Sequence, residues 1–241
     1  MDWIDSAIVL HVRPHGETSA ILDAFTREHG RHAGLVRGGR SRKIRPALQT
    51  GNLLKLEWRA RLSEHLGFFT LELAEAYAAR ALDDRLALSG IGSMTTLAGL
   101  LAERDPHPAL FDMAVLVLDH LTDAPLWLEL MVRWELLLLT EFGFGLDLER
   151  CAATGAGEDL IYVSPKSGCA VSAIAGEPYK DKLLKLPAFL RAANGPRASR
   201  QEIAEGFALT GFFLERCLAE QRNAPVPPAR DAFLRVLARA P

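Results

Sequence analysis

The 241-residue chain has little cysteine: Cys151, Cys169 and Cys217 form no CxxC pair and no regular framework. That excludes a disulfide scaffold and fits a reducing compartment with free thiols. None of the three has a sequence-adjacent His, so a zinc site or a cysteine nucleophile would need partners brought in by the fold, and small buried or half-buried thiols are the simpler expectation. Short catalytic signatures are missing as well. There is no GxxxxGK[ST], no GxGxxG after a strand, no HExxH and no GxSxG. The seven histidines are scattered; His11 and His15 could share a local site but read more simply as surface chemistry. Asp83-Asp84 suits a helix cap better than a metal. Nothing assembles a catalytic constellation.

Uninterrupted apolar runs are also lacking. The most apolar segment, Leu126 to Phe142, is broken by Glu129, Arg133, Glu135 and Glu141, which argues against a membrane span. The opening MDWIDS carries two acids and no base before its apolar run, unlike the layout of a secretory signal peptide. A cytoplasmic protein is expected. A basic balance is absent too: formal net charge is -2 and the pI about 6.4. A nonspecific polycation is excluded, and any polyanion must be met by a local patch.

Such a patch is present. From Val36 to Pro46 the chain reads VRGGRSRKIRP, with Arg37, Arg40, Arg42, Lys43 and Arg45 and no acid. Residues 1–80 carry 12 Lys/Arg and 9 Asp/Glu, and the remainder 16 and 21, so the charge is asymmetric by segment. A solvated surface run is the plain alternative. Gly38 and Gly39 let amide N–H groups approach a phosphate closely. Four of the five cations are arginines, whose planar fork holds two phosphate oxygens. Five like charges interrupted by two glycines have little to pack against, which predicts a loop that is mobile when no polyanion is bound.

The periodicity around this loop is that of strands. Ser6 to Val12, Ala20 to Phe25 and Ala33 to Val36 are short apolar runs separated by turn signals. Leu54, Leu56 and Trp58 alternate with Lys55, Glu57 and Arg59, and Phe69, Leu71 and Leu73 repeat the pattern. Five strands in about 75 residues predict a small barrel, most simply an OB-fold. Trp58, Phe68 and Phe69 lie near the basic loop, as barrel core or as stacking platforms for bases.

Past Glu75 the spacing becomes helical. Helices are expected at Gly92–Arg104, Pro108–Leu121, Leu126–Phe142, Tyr179–Ala192, Ser199–Glu220 and Arg230–Ala238. The third is apolar on most of its circumference, a central bundle helix with Glu129 and Arg133 as an i,i+4 pair. Asn194-Gly195-Pro196 stops the fourth, and Ser199 with Glu202 has capping-box spacing. Between the third and fourth helices, Leu160–Val163 and Cys169–Ser172 are expected to form a small hairpin. The fold class is thus α+β: an N-terminal five-stranded barrel over 1–80, then a mostly helical domain over 81–241 with a hairpin insert at about 144–178.

Three stretches carry a family likeness. IVLHVRPHGETSAILDAFTREHGRHAGLVRGGRSRKIRPALQTGNLL resembles the N-terminal region of the RecO family of bacterial recombination mediators and DNA repair proteins. RWELLLLTEFGFGLDLERCAATG resembles that family's Arg-aromatic-Glu-Leu helix, glycine corner and first cysteine motif. ARDAFLRVL resembles its terminal helix. The resemblance covers nearly the whole chain. It implies an OB-fold with a helical domain, and no enzyme but a mediator in DNA repair and recombination. Such a protein binds single- and double-stranded DNA, anneals complementary strands, and helps RecA load with the partner RecR. Contact with the acidic, apolar tail of the single-stranded-DNA-binding protein is also implied, and cytoplasmic, nucleoid-associated localisation follows. The DNA loop maps to Arg37, Arg40, Arg42, Lys43 and Arg45, and the tail contact to Arg133.

One departure matters. Some members hold zinc with two CxxC pairs, but here Thr154 follows Cys151 and Ser172 follows Cys169 at the second positions. Two thiolates rarely make a structural tetrahedral site, so no zinc or other cofactor is expected. The rival expectation is an unrecognised nucleic-acid-modifying enzyme with a pocket between barrel and helical bundle.

Overall fold

The computed structural model describes residues 1–62, 64–191 and 197–240. Strands β1 (Asp2–His15), β2 (Ser19–Thr26), β3 (Gly30–Val36), β4 (Leu53–Arg59) and β5 (Phe68–Glu75) close into a barrel of order β1-β2-β3-β5-β4. β1 pairs antiparallel with β4 through its first half and with β2 through its second. The register shift between Val9 and His11 bends the strand from one neighbour to the other. β3 and β5 run parallel, joined at Leu35 and Phe68. This is the five-stranded OB-fold, as expected. β1 is longer than its apolar run, because Pro14 and His15 still pair with Ala20 and Ser19.

Alternation fills the barrel. Leu54, Leu56 and Trp58 point inward with Ala7, Val9, Ala20, Leu22, Ala24, Val36 and Phe69, while Lys55 and Arg59 face out. Trp58 is core, with its Nε1 donating to the Leu66 carbonyl at 3.1 Å.

After Glu75 the chain is helical: α1 (Tyr77–Arg80), α2 (Arg85–Ala98), α3 (Pro108–Asp119) and α4 (Ala124–Glu141) follow. α2 begins earlier than Gly92 because Asp84 caps it, accepting from the N–H groups of Leu86 and Ala87 at 2.8 and 3.1 Å. It also ends before Arg104. Past Gly99 the segment leaves the helix to bridge β3, where Arg104 N–H donates to the Arg31 carbonyl at 2.8 Å.

The insert holds β6 (Leu160–Val163), β7 (Ala170–Ser172) and α5 (Ala173–Gly176). The helix expected over Tyr179–Ala192 is not formed. A 3-10 turn at Glu177–Lys182, a short strand β8 (Leu184–Lys185) on β6 and a second 3-10 turn at Ala188–Leu190 stand there. Pro187 supplies no N–H and drives Leu186 into extended backbone, where its N–H donates to Ile161 at 2.9 Å. The hairpin is therefore part of a three-stranded sheet, β7-β6-β8. The stop expected at Asn194-Gly195-Pro196, with Ala192, lies outside the described residues.

α6 (Arg200–Arg222) carries the expected capping box from Ser199 and Glu202, and α7 (Pro228–Arg239) is the last helix. On α4, Trp127, Met131, Val132, Trp134, Leu138 and Leu139 are buried. Glu129 and Arg133 are not spent on each other. Glu129 Oε1 accepts from Ala198 N–H at 2.7 Å, and Arg133 donates to the Phe189 carbonyl.

Two compact units result. One is Met1–Thr122 with the segment from Pro227 onward, so that α7 packs on α2; the other is Asp123–Val226. The change from strand to helix falls near residue 80, whereas the division by packing falls elsewhere. No helix among the described residues is long and apolar enough to cross a membrane.

Candidate nucleic-acid interface

The basic stretch begins where β3 ends and returns to the barrel at β4. Gly38 takes a φ of +65°, which favours glycine, and a Cβ on Gly39 would stand 2.8 Å from the Ala20 methyl. Both glycines are thus required by the turn itself.

The expectation that this loop has little to pack against is corrected. Ile44 is packed against the barrel core. Ser41 N–H donates to the Gly38 carbonyl at 2.9 Å, Arg45 N–H to Ser41 at 3.0 Å and Ala47 N–H to Ile44 at 3.0 Å. Asn52, buried beneath, donates from Nδ2 to the Pro46 and Ala47 carbonyls at 3.1 and 3.2 Å. Arg40 is tied down twice: its N–H donates to Thr18 at 3.0 Å, and its guanidinium to the carbonyls of Gly16 and Glu17 at 3.1 and 2.9 Å. The loop is a series of hydrogen-bonded turns rooted by one apolar side chain.

The five cations consequently differ. Arg40 holds the β1–β2 turn. Arg37 lies over the exposed ring of Phe68, with Cζ 4.3 Å from the ring centroid. Arg42, Lys43 and Arg45 project into solvent. None of the five forms an ion pair among the described residues. Five cations without carboxylate partners among the described residues thus give this rooted loop a local positive charge. Phe68, the first residue of β5 and directly after Gly67 with its φ of +65°, is the member of the aromatic trio that faces out.

Arg133 stands in the other unit, with its Cζ 5.9 Å from the centroid of the Phe189 ring whose carbonyl it holds. His11 and His15 are exposed on β1, ~13 Å apart along the strand, too far to share a ligand.

Cys151 is buried, with Sγ 3.3 Å from the Ser172 N–H and 3.5 Å from Ser172 Oγ. Burial pushes this thiol up, but hydrogen bonds from Ser172, Thr154 and two backbone N–H groups outweigh it and hold it at about 6. Cys169 turns its Sγ to the Ser167 carbonyl at 3.6 Å. No group of three metal-ligating side chains is present among the described residues.

Residues 1–77 match the family described as Recombination protein O N terminal, and residues 82–224 match Recombination protein O C terminal. Curated relatives called DNA repair protein RecO are similar along almost their full length. The one from Mesorhizobium japonicum is 53% identical over 98% of this chain and 94% of its own. That from Methylorubrum populi is 50% identical over 97% of each, and that from Rhizobium etli 52% identical over 100% of this chain and 94% of its own. With both halves matched, the chain belongs to the recombination protein O family.

Proposed function

We propose that this chain is a DNA-binding recombination mediator without catalytic activity of its own, which grips the phosphate backbone of single and double strands with Arg37, Arg42, Lys43 and Arg45 while Arg40 fixes their platform. The observation that carries this is the set of cations without carboxylate partners on a loop hydrogen-bonded to the barrel. Phosphate contacts of this kind ignore sequence, as annealing any two complementary strands requires.

The relatives' name, DNA repair protein, supports the same setting. In it the chain promotes strand annealing and, with RecR, helps RecA onto DNA coated by single-stranded-DNA-binding protein, at the nucleoid. Arg133 receives the acidic tail of that protein. A guanidinium presents its N–H donors as a planar fork that matches a carboxylate. The insert works without zinc: Ser172 and Thr154 give the Cys151 sulfur hydrogen bonds where second thiolates would stand. Stoichiometric zinc in protein purified in metal-free buffer would contradict that part.

The decisive experiment is duplex binding by fluorescence anisotropy over a salt series. Replacing Arg42 and Arg45 by Ala lowers affinity and reduces the slope of log affinity against log salt by about 0.9 per lost contact. An unchanged slope moves the phosphate site elsewhere.

A further inference from the structure

We propose that the cleft between Arg37 and Phe68 takes one unpaired nucleobase, so that the barrel distinguishes single strands from duplex. This deepens, and rests on, the reading of the loop as a phosphate site.

The cleft arises from how the barrel closes. Most neighbouring strands are zipped along their length, but β3 and β5 meet only at Leu35 and Phe68, with the Leu35 N–H donating to Gly67 at 3.0 Å. Beyond that join β3 departs as Arg37, and Ile44 folds back beside it. The gap is about 390 Å3, with Arg37, Ile44, Arg59, Phe68, Thr70 and Leu71 among its lining. That is the low end of the ~300–1,000 Å3 typical of small-ligand sites.

Its chemistry is that of a base and its flanking phosphates. Phe68 is 43% exposed, whereas its neighbour Phe69, turned to the core, is 4% exposed. The guanidinium of Arg37 at 4.3 Å already covers one face of the Phe68 ring. A planar base can stack on that ring, or between ring and guanidinium, without moving the barrel. Arg59, with a side chain 68% exposed and Nε donating to Glu57 at 2.8 Å, stands on the rim for a phosphate. Thr70, two residues along β5 from Phe68, is exposed. In a duplex the bases are stacked on one another, and no ring face is offered to Phe68. Phosphates on the loop and one base in the cleft are available together only from a single strand.

The test uses the full chain with fluorescein-labelled oligo(dT) and a duplex of equal length at fixed salt. Phe68→Leu keeps the apolar volume and removes the stacking face. It is expected to weaken oligo(dT) binding about 5- to 150-fold, the range spanned by one stacked base, with duplex affinity and the salt slope unchanged. Phe68→Trp, which restores a stacking face, is expected to recover binding, and emission of a 2-aminopurine oligonucleotide to be quenched by wild type and by F68W but not by F68L. Equal losses on both DNA forms, or no loss with oligo(dT), would overturn the proposal; an F68W protein that neither binds better than F68L nor quenches does so too. Failure of the loop reading shows separately, as an unchanged salt slope in R42A/R45A while F68L still loses affinity for oligo(dT) alone.

Discussion

His29 lies flat against Trp3, with ring centroids 4.1 Å apart and planes 8° from parallel, and its Nδ1 sits 2.9 Å from Oδ2 of Asp5. The same oxygen accepts the Glu28 N–H at 2.8 Å, and Trp3 continues the stack onto Trp58 at 5.6 Å. A turn between β2 and β3 is thereby fastened to the start of β1. Replacing His29 by Ala removes both the stacking and one partner of a buried carboxylate, at a cost of about 1–2 kcal/mol in urea unfolding. His29→Phe recovers the stacking share alone.

His32, deeper in the same aromatic group, titrates below the ordinary histidine range because burial penalises its charged form, against the opposing pull of the Ala33 carbonyl. Its folded pKa is lower than its unfolded one, so below about pH 6.5 the unfolded chain binds more protons and stability falls as pH falls. His32→Phe removes this contribution. Unfolding curves from pH 7.5 to 5 should show a shallower acid loss in the variant than in wild type; equal slopes would rule His32 out as the source.

Two glycines separate backbone strain from crowding. Gly30 has φ +66°, and a Cβ there would stand 2.2 Å from the Asp105 carbonyl oxygen, whereas Gly16, at φ +59°, has open space around it. Gly16→Ala should cost about 1–2 kcal/mol, the left-handed conformation alone. Gly30→Ala should cost about 2–4 kcal/mol, because backbone must also move. Denaturant midpoints compare them directly.

The loop arginines should divide by role. Arg40→Ala frees the loop from the Gly16 and Glu17 carbonyls and is expected to speed limited proteolysis within 37–46. Arg42→Ala should leave proteolysis unchanged while lowering DNA affinity and reducing its salt slope by about 0.9. Equal protease sensitivity in the two variants would remove the distinction.

The barrel was legible because alternation such as Leu54-Lys55-Leu56-Glu57-Trp58 states both the strand and the face it buries. The resemblance of the basic loop and the Arg-aromatic-Glu-Leu stretch likewise agreed with the family matches over both halves. Other features depend on tertiary choices. Arg31 draws residues near Glu103 out of the helix that their leucines suggested. Leu183 to Leu186 has helical spacing, yet Pro187 and the free edge of β6 make it a strand. At the candidate site the sequence named the cations but could not rank them: Arg40 resembles Arg42 until the Gly16 carbonyl is seen beside it. The alternation of Phe69 and Leu71 with Thr70 and Glu72, by contrast, did set Phe69 inward and so Phe68 outward.

The packing of α7 on α2 sets a timetable for synthesis. The first unit is interrupted by more than a hundred residues of the second, so a chain leaving the ribosome can close its barrel early but meets α7 only after the second unit has been made. Phe233, fully buried once in place, is among the final core side chains to arrive. A nascent chain therefore waits with part of α2 exposed, and a stop codon shortly before Pro228 deprives the barrel-bearing unit, rather than its neighbour in sequence, of a packing partner.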